Sequence, residues 1–278
     1  MIITRKRIVI LDSIVLNGVS IKVVRQFKLL GVILDDKMLF NKHIASICIK
    51  INFRLYSIKK LFYLATSVKV QFFKAFILPY FDYCLSLSIY YSKAVLQKLC
   101  NCYNMCLCKL FNSTKQDKFN FYENEPSSIN KFLMKFNIFS FVHRIFIRLN
   151  LFLFKIVNTK RPPLLASCIK LKNNINSKYN LRSADIPSVV VPATTLHYGD
   201  LTYESFFSKF YNQFLLFNIN TNIYKFKRDI FLNLDNLVSK FIVVFSKLNF
   251  FYKFYKNYKW KNSQCKFIYL FLSFYHIK

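Results

Sequence analysis

Apolar positions change their spacing near residue 36. Upstream, Ile8-Val9-Ile10-Leu11, Ser20-Ile21-Lys22-Val23-Val24 and Phe27 to Leu34 are short runs rich in β-branched residues, which predict strands. Asn17-Gly18 separates two of these runs and is a strong short-range hairpin signal. Gly31 interrupts the third run and predicts a bulge or a close approach by another backbone. From Asp36 onward the pattern is helical. Phe40, Ile44, Ile47, Ile51, Leu55, Ile58 and Leu61 recur every three or four residues, with Lys50, Arg54 and Lys60 off the stripe. A second helix is expected from Thr66-Ser67 to Leu78, with Ser67 as N-cap and Pro79 as terminator, and a third from Ser92 to Phe111. Residues 112–128 are polar and read as a loop. Ile129 to Asn158 is a long helical stretch broken near Asn137.

Arg161-Pro162-Pro163 opens a polar, Asn-rich segment that reads as a linker, with a short extended piece at Val189-Val190-Val191. Helices resume at Tyr203–Phe217 and Tyr224–Phe245. The expected fold is therefore α+β, mainly α. It has a short antiparallel β unit at 1–36, a helical body at 37–160, a linker at 161–200 and a helical unit at 201–245. A tail of interleaved Lys, Phe and Tyr at 246–278 has no clean period, and little fixed structure is expected there.

Composition narrows the chemistry. Three glycines in 278 residues exclude glycine-rich phosphate loops and dinucleotide fingerprints, which need clustered glycines for backbone to approach a pyrophosphate. Lys plus Arg number 42 against 12 acids, a net charge of +30. Such a chain repels itself unless it meets a polyanion, and nucleic acid is the partner that phosphate neutralisation favours. A compositional explanation also stands, since Lys, Asn, Ile, Phe and Tyr are what A/T-rich coding sequence over-encodes.

No secretory signal is expected ahead of the eight cysteines, since Met1 to Arg7 lacks an apolar segment. An intracellular setting, nuclear or cytoplasmic, with reduced thiols is expected. No integral membrane segment is expected either. Ile138 to Val157 comes nearest to a span, and His143, Arg144, Arg148 and Lys155 interrupt it.

Several segments occur in a telling order. Phe27-Lys28-Leu29-Leu30-Gly31-Val32-Ile33-Leu34-Asp35 precedes Phe40-Asn41-Lys42-His43-Ile44, then Ala75-Phe76-Ile77-Leu78-Pro79-Tyr80-Phe81-Asp82-Tyr83-Cys84. Pro162-Pro163-Leu164-Leu165, Tyr179-Asn180-Leu181-Arg182-Ser183 and Tyr198-Gly199-Asp200 follow. Over about residues 1 to 245 this resembles the carboxy-terminal part of reverse transcriptases from jockey-like non-LTR retrotransposons. The resemblance implies the last strands of a polymerase palm, a primer-grip hairpin carrying Phe27, Lys28, Leu29 and Gly31, and a thumb over Phe40 to Phe111. It also implies that the catalytic carboxylates lie upstream of the matched region. Those carboxylates hold two metal ions for phosphoryl transfer. No catalytic residue, metal ligand, cofactor or small-molecule substrate is therefore expected in this chain, and no polymerase activity of its own.

Each remaining motif has a structural and a chemical reading. Ile33-Leu34-Asp35-Asp36 imitates a catalytic pair but lacks the aromatic, and an Asp before a helix is a capping residue. Cys100, Cys102, Cys106 and Cys108 are spaced so that four ligands cannot converge from one helix, so they read as buried small apolar residues. His43, His143, His197 and His276 are scattered, and His43 has a structural role at a helix start. Asp82 is expected to make a buried hydrogen bond across a helix junction, and Glu123 and Glu125 to be solvated.

The nucleic-acid candidates are Lys42, Arg54, Lys59, Lys60, Lys69 and Lys74 on the first two helices, and Arg144, Arg148 and Lys155 on the long helix. Sequence-independent contact to the backbone of RNA or DNA needs only such stripes, and a template–primer duplex gripped along its backbone is the ligand expected first. In the tail, Tyr252, Tyr255, Tyr258 and Trp260 alternate with Lys253, Lys256 and Lys259. That pattern suits stacking on single strands or an anionic bilayer surface, and equally suits translated A/T-rich sequence. The alternatives to a nucleic-acid-binding segment are a relic without selected activity, whose strands lack partners, and a peripheral membrane protein.

Overall fold

Two short hairpins open the described chain. A computed structural model describes residues 12–60, 63–111, 136–170, 188–194, 202–214, 222–234, 237–238 and 240–241. The expected strand at Ile8–Leu11, the loop at 112–128, His197, His276 and the tail at 246–278 lie outside the described residues, as do Glu123 and Glu125. The architecture is α+β, mainly α, and divides into two compact units, Met1–Phe141 and Val142–Lys278.

In the first unit, β1 (Ser13–Leu16) pairs antiparallel with β2 (Val19–Lys22), Leu16 facing Val19. Asn17 and Gly18 both have positive φ, 49° and 78°. This is the two-residue turn whose twist matches the flanking strands. The pairing continues where Val23 N–H donates to the Asp12 carbonyl at 2.9 Å. β3 (Gln26–Leu29) and β4 (Val32–Asp35) form a second antiparallel pair in the same way. The run from Phe27 to Leu34 is thus two strands. Gly31 marks no bulge. With Leu30 (φ 46°) it forms the turn at φ 86°, and what approaches it is the Tyr83 side chain rather than a backbone. A leucine in the left-handed region is uncommon, and a glycine beside it lowers the cost of the turn.

β1, β2 and β3 are exposed along their whole length, with Val15 68% and Val19 63% exposed. Val32 of β4 is the first core residue among the described ones. Asp35 then organises the crossing to the helices. Its carboxylate accepts the N–H groups of Lys37 at 3.1 Å and of Leu39 and Phe40 at 2.8 Å each. The capping reading is refined by this geometry. Asp35 holds the loop ahead of the helix rather than the helix's own first turn.

α1 (Asn41–Lys60) buries Ile44, Ile47, Ile51, Leu55 and Ile58, with Phe40 just ahead of it, as the stripe predicted. α2 (Thr66–Phe72) departs from expectation at both ends. Its N-cap is Ala65, with no side-chain hydrogen bond, and Ser67 lies inside the helix. Pro79 does not stop the run. A π-helical turn, Phe73–Ile77, widens the helix, and Leu78 N–H donates to the Phe73 carbonyl five residues back. α3 (Leu78–Asp82) follows with Pro79 at its start, where a missing N–H costs little. After a 3₁₀ turn at Leu85–Tyr90 comes α4 (Lys93–Leu110), capped by Ser92 Oγ, which accepts from Val95 N–H.

The core of the first unit is aromatic at its centre. The Tyr103 ring lies 5.0 Å from that of Phe81, edge-on, and 5.7 Å from that of Phe141, and its hydroxyl donates to the Phe139 carbonyl at 2.6 Å. Buried rings add edge-to-face attraction to ordinary area burial, and the hydroxyl is satisfied.

In the second unit, α5 (Phe141–Thr159, its first residue closing the first unit) follows a break at Asn137, φ 50°. α6 (Pro163–Ser167) is short, α7 spans Tyr203–Phe214 and α8 spans Ile223–Leu232. Phe146 of α5, Phe210 and Phe214 of α7, and Phe241 pack their rings 5.0–6.0 Å apart. Phe154 stacks on Phe226 of α8 at 4.0 Å. The segment read as a linker is tied down where it is described. Val189 is fully buried, and Val190 N–H donates to the Lys170 carbonyl at 2.8 Å. The Asn212 side chain accepts from Val189 N–H at 2.8 Å and donates to its carbonyl at 2.9 Å. Among the described residues, no helix is long and apolar enough to cross a membrane.

Candidate nucleic-acid interface

The primer-grip-like residues sit on the second hairpin. Phe27, Lys28 and Leu29 are exposed on β3, and Gly31 is in the turn. Tyr83, just past α3, donates its hydroxyl to the Leu30 carbonyl and fixes the tip of this hairpin against the helical body. His43, buried in the first turn of α1, accepts the Ile33 N–H on Nδ1 at 3.4 Å, while its Nε2 finds no hydrogen-bond partner. Burial first, and Lys50 second, push the His43 pKa below its ordinary value, so the neutral ring is favoured. The histidine thus joins strand to helix, as its position at a helix start suggested.

The basic residues differ in what they can reach. Lys42 is exposed at the start of α1 and Lys60 at its end, with the Lys60 ammonium 5.1 Å from the centre of the Tyr56 ring. Arg54 is half-buried and committed to the fold. One guanidinium nitrogen donates to the Phe76 carbonyl at 2.9 Å, and the group lies 4.5 Å over the Tyr80 ring. Lys69 is buried, so its ammonium is not presented to a phosphate. Lys74 is exposed, but its Nζ donates to the Phe136 carbonyl at 2.6 Å. Lys59 lies in α1. In the second unit, Arg144 is half-buried on α5, and Arg148 and Lys155 are exposed one heptad apart on one side of it. Of the candidates in the first unit whose side chains are described, Lys42 and Lys60 present open charge, and Lys50 joins them.

The sequence reading missed the outer face of α1. Ile49, Phe53 and Tyr56 are 68%, 77% and 59% exposed, and Tyr63 beyond the helix is 70% exposed. Residues 49, 53, 56 and 60 are spaced by four, three and four, half a turn from the buried stripe. That spacing was available in the sequence and could have revealed them. α1 contains no Asp or Glu in its twenty residues, so nothing on it opposes Lys42, Lys50 and Lys60.

The cysteines of α4 are all buried. Cys48 of α1 hydrogen-bonds Cys102, and Cys102 hydrogen-bonds Cys106. Burial holds the Cys100 thiol up to about 12, and the Cys106 contact does the same for Cys102. The Cys48 thiol is pushed up as well, first by its contact with Cys102. Such thiols stay protonated and pack as small apolar groups. Among the described residues, no group of three or more His, Cys, Asp or Glu is placed to hold a metal ion. Asp82 is half-buried at the end of α3. No known protein family, characterised protein or solved structure matches this chain.

Proposed function

We propose that the chain binds nucleic acid through lysine contacts to phosphates, as a reverse-transcriptase-like segment without polymerase chemistry of its own. The observation that carries this reading is α1, with Lys42, Lys50 and Lys60 exposed and no carboxylate in its length. Phosphate neutralisation releases condensed counterions, which favours binding by a charged helix of this kind without exact geometry. The net charge of +30 and the order of hairpin, helix and aromatic-rich junction seen in retrotransposon reverse transcriptases support the same reading.

Titration of the purified chain against RNA and DNA over a range of salt concentrations tests it. Affinity falls linearly on a log–log salt plot, and Lys42→Gln and Lys60→Gln each shallow the slope by about 1. Binding that is absent or insensitive to salt contradicts the proposal. Primer extension in the presence of template, nucleotides and magnesium yields no product, and extension above background refutes the second half of it.

A second reading, a relic without selected activity, draws support from the first hairpin. Ile14, Val15, Leu16, Val19 and Ile21 are exposed there, an arrangement suited to strands whose packing partner is missing. A single cooperative unfolding transition together with salt-dependent binding counts against the relic.

A further inference from the structure

Resting on the nucleic-acid reading, we propose that the outer face of α1 stacks unpaired bases, so that its preferred ligand is single-stranded RNA or DNA rather than duplex. Lys42, Ile49, Phe53, Tyr56 and Lys60 occupy one stripe of the helix, diametrically opposite its buried side. The two lysines stand about five turns apart and the apolar side chains lie between them.

Phe53 and Tyr56 are separated by ~4.5 Å of helix rise, so both rings are open to the same bound strand. The Lys60 ammonium lies over the Tyr56 ring, 5.1 Å from its centre, so a base that stacks on that face displaces it toward the adjacent phosphate. Rings with lysines interleaved along a groove or face form the usual single-strand platform, tolerant of sequence because every base has a π face. A duplex keeps its bases stacked on one another and offers such rings only its edges.

An apolar helix face also suits a partner helix, and charge decides between them. A second copy would bring another acid-free α1 and a further +30 of like charge, whereas a polynucleotide complements both.

The test uses the full chain with labelled oligo(dT), oligo(rU) and a blunt DNA duplex of the same length. Phe53→Ala and Tyr56→Ala each weaken oligo(dT) and oligo(rU) binding by about fivefold or more and leave duplex binding unchanged, while Phe53→Trp retains it. Both positions are exposed, so the variants keep the wild-type melting temperature. Equal losses on single strand and duplex, or no loss on either, overturn the stacking proposal and leave the phosphate-contact reading intact. If wild-type protein binds none of the three probes, both fall. Sedimentation of the free protein gives a monomer. A dimer that Phe53→Ala dissociates, with oligonucleotide binding unaltered, assigns the face to a second copy and overturns the proposal.

Discussion

Tyr83 reaches back 53 positions to donate its hydroxyl to the carbonyl of Leu30, at the turn of the β3–β4 hairpin. A two-stranded hairpin is marginal alone in water, so an external tether bears on whether it holds its shape. Tyr83→Phe removes the donor and leaves the ring. Because the Leu30 carbonyl can turn to water, the global cost is small, about 0.5–1 kcal/mol. The local effect is larger, and amide exchange across residues 26–35 accelerates. Gly31→Ala, at φ 86° with room for a methyl, costs about 1 kcal/mol through backbone strain. Unchanged exchange in both variants would show that the tether does not stabilise the hairpin.

Asp35 and Asp36 are adjacent acids with different duties. Asp35 accepts three backbone N–H groups with its carboxylate, whereas Asp36 donates its backbone N–H to the Arg25 carbonyl at 3.1 Å. Urea denaturation of Asp35→Ala should show a loss of about 2–3 kcal/mol, because charge-assisted bonds in the loop before α1 are left unmade. Asp36→Ala should stay within about 0.5 kcal/mol of wild type. Equal losses would mean the carboxylate is not the organiser of this crossing.

His43 makes stability depend on pH in a defined window. Burial lowers its pKa in the folded chain below its unfolded value of about 6.5. The unfolded state therefore binds more protons there, and stability rises with pH through the window. It is fully present above about pH 6.5 and is lost as acidification proceeds toward the lowered folded value. Protonation also abolishes the acceptor that Nδ1 offers to Ile33 N–H. Melting temperature recorded between neutral and mildly acidic pH should fall in wild type and flatten in His43→Gln. Identical profiles in the two proteins would exclude His43 as the source.

Asn212 takes the place of a neighbouring strand for Val189, satisfying its N–H and its carbonyl at once. Buried backbone groups left without partners are costly, so Asn212→Ala should destabilise by about 1–3 kcal/mol. Asn212→Asp keeps the acceptor and loses the donor, and should fall between. Limited proteolysis at residues 188–194 reports the release directly. Resistance to cleavage in the alanine variant would show that Val189 is held by packing alone.

The buried stripe of α1, the Asn17-Gly18 hairpin, the start of α4 at Ser92 and the break at Asn137 were all legible in the sequence. Each rests on a local signal that tertiary packing reinforced. The Leu30-Gly31 turn was not, because leucine is no turn residue and its positive φ is imposed by the hairpin and the Tyr83 tether. The π turn ahead of Pro79 was hidden for a similar reason, since proline signals a stop and only the widened helix lets the run continue. In the candidate site, charge was easy to count but not to locate. Arg54 serves Phe76 and Tyr80, Lys74 serves Phe136 and Lys69 is buried. Phe53 and Tyr56 escaped notice because aromatic residues abound along the whole chain, and most described phenylalanines fill cores.

β1 has a consequence for the protein at high concentration. Ser13-Ile14-Val15-Leu16 has neither charge nor proline, and its side chains lie open to water. Natural sheets usually station a lysine or a proline as gatekeeper at such a border, and among the described residues no third strand pairs with this hairpin, so its edge suits templating of a neighbouring chain. Turbidity should therefore grow with protein concentration even where electrostatic repulsion keeps the rest of the surface apart, and a lysine introduced at Val15 should clear it.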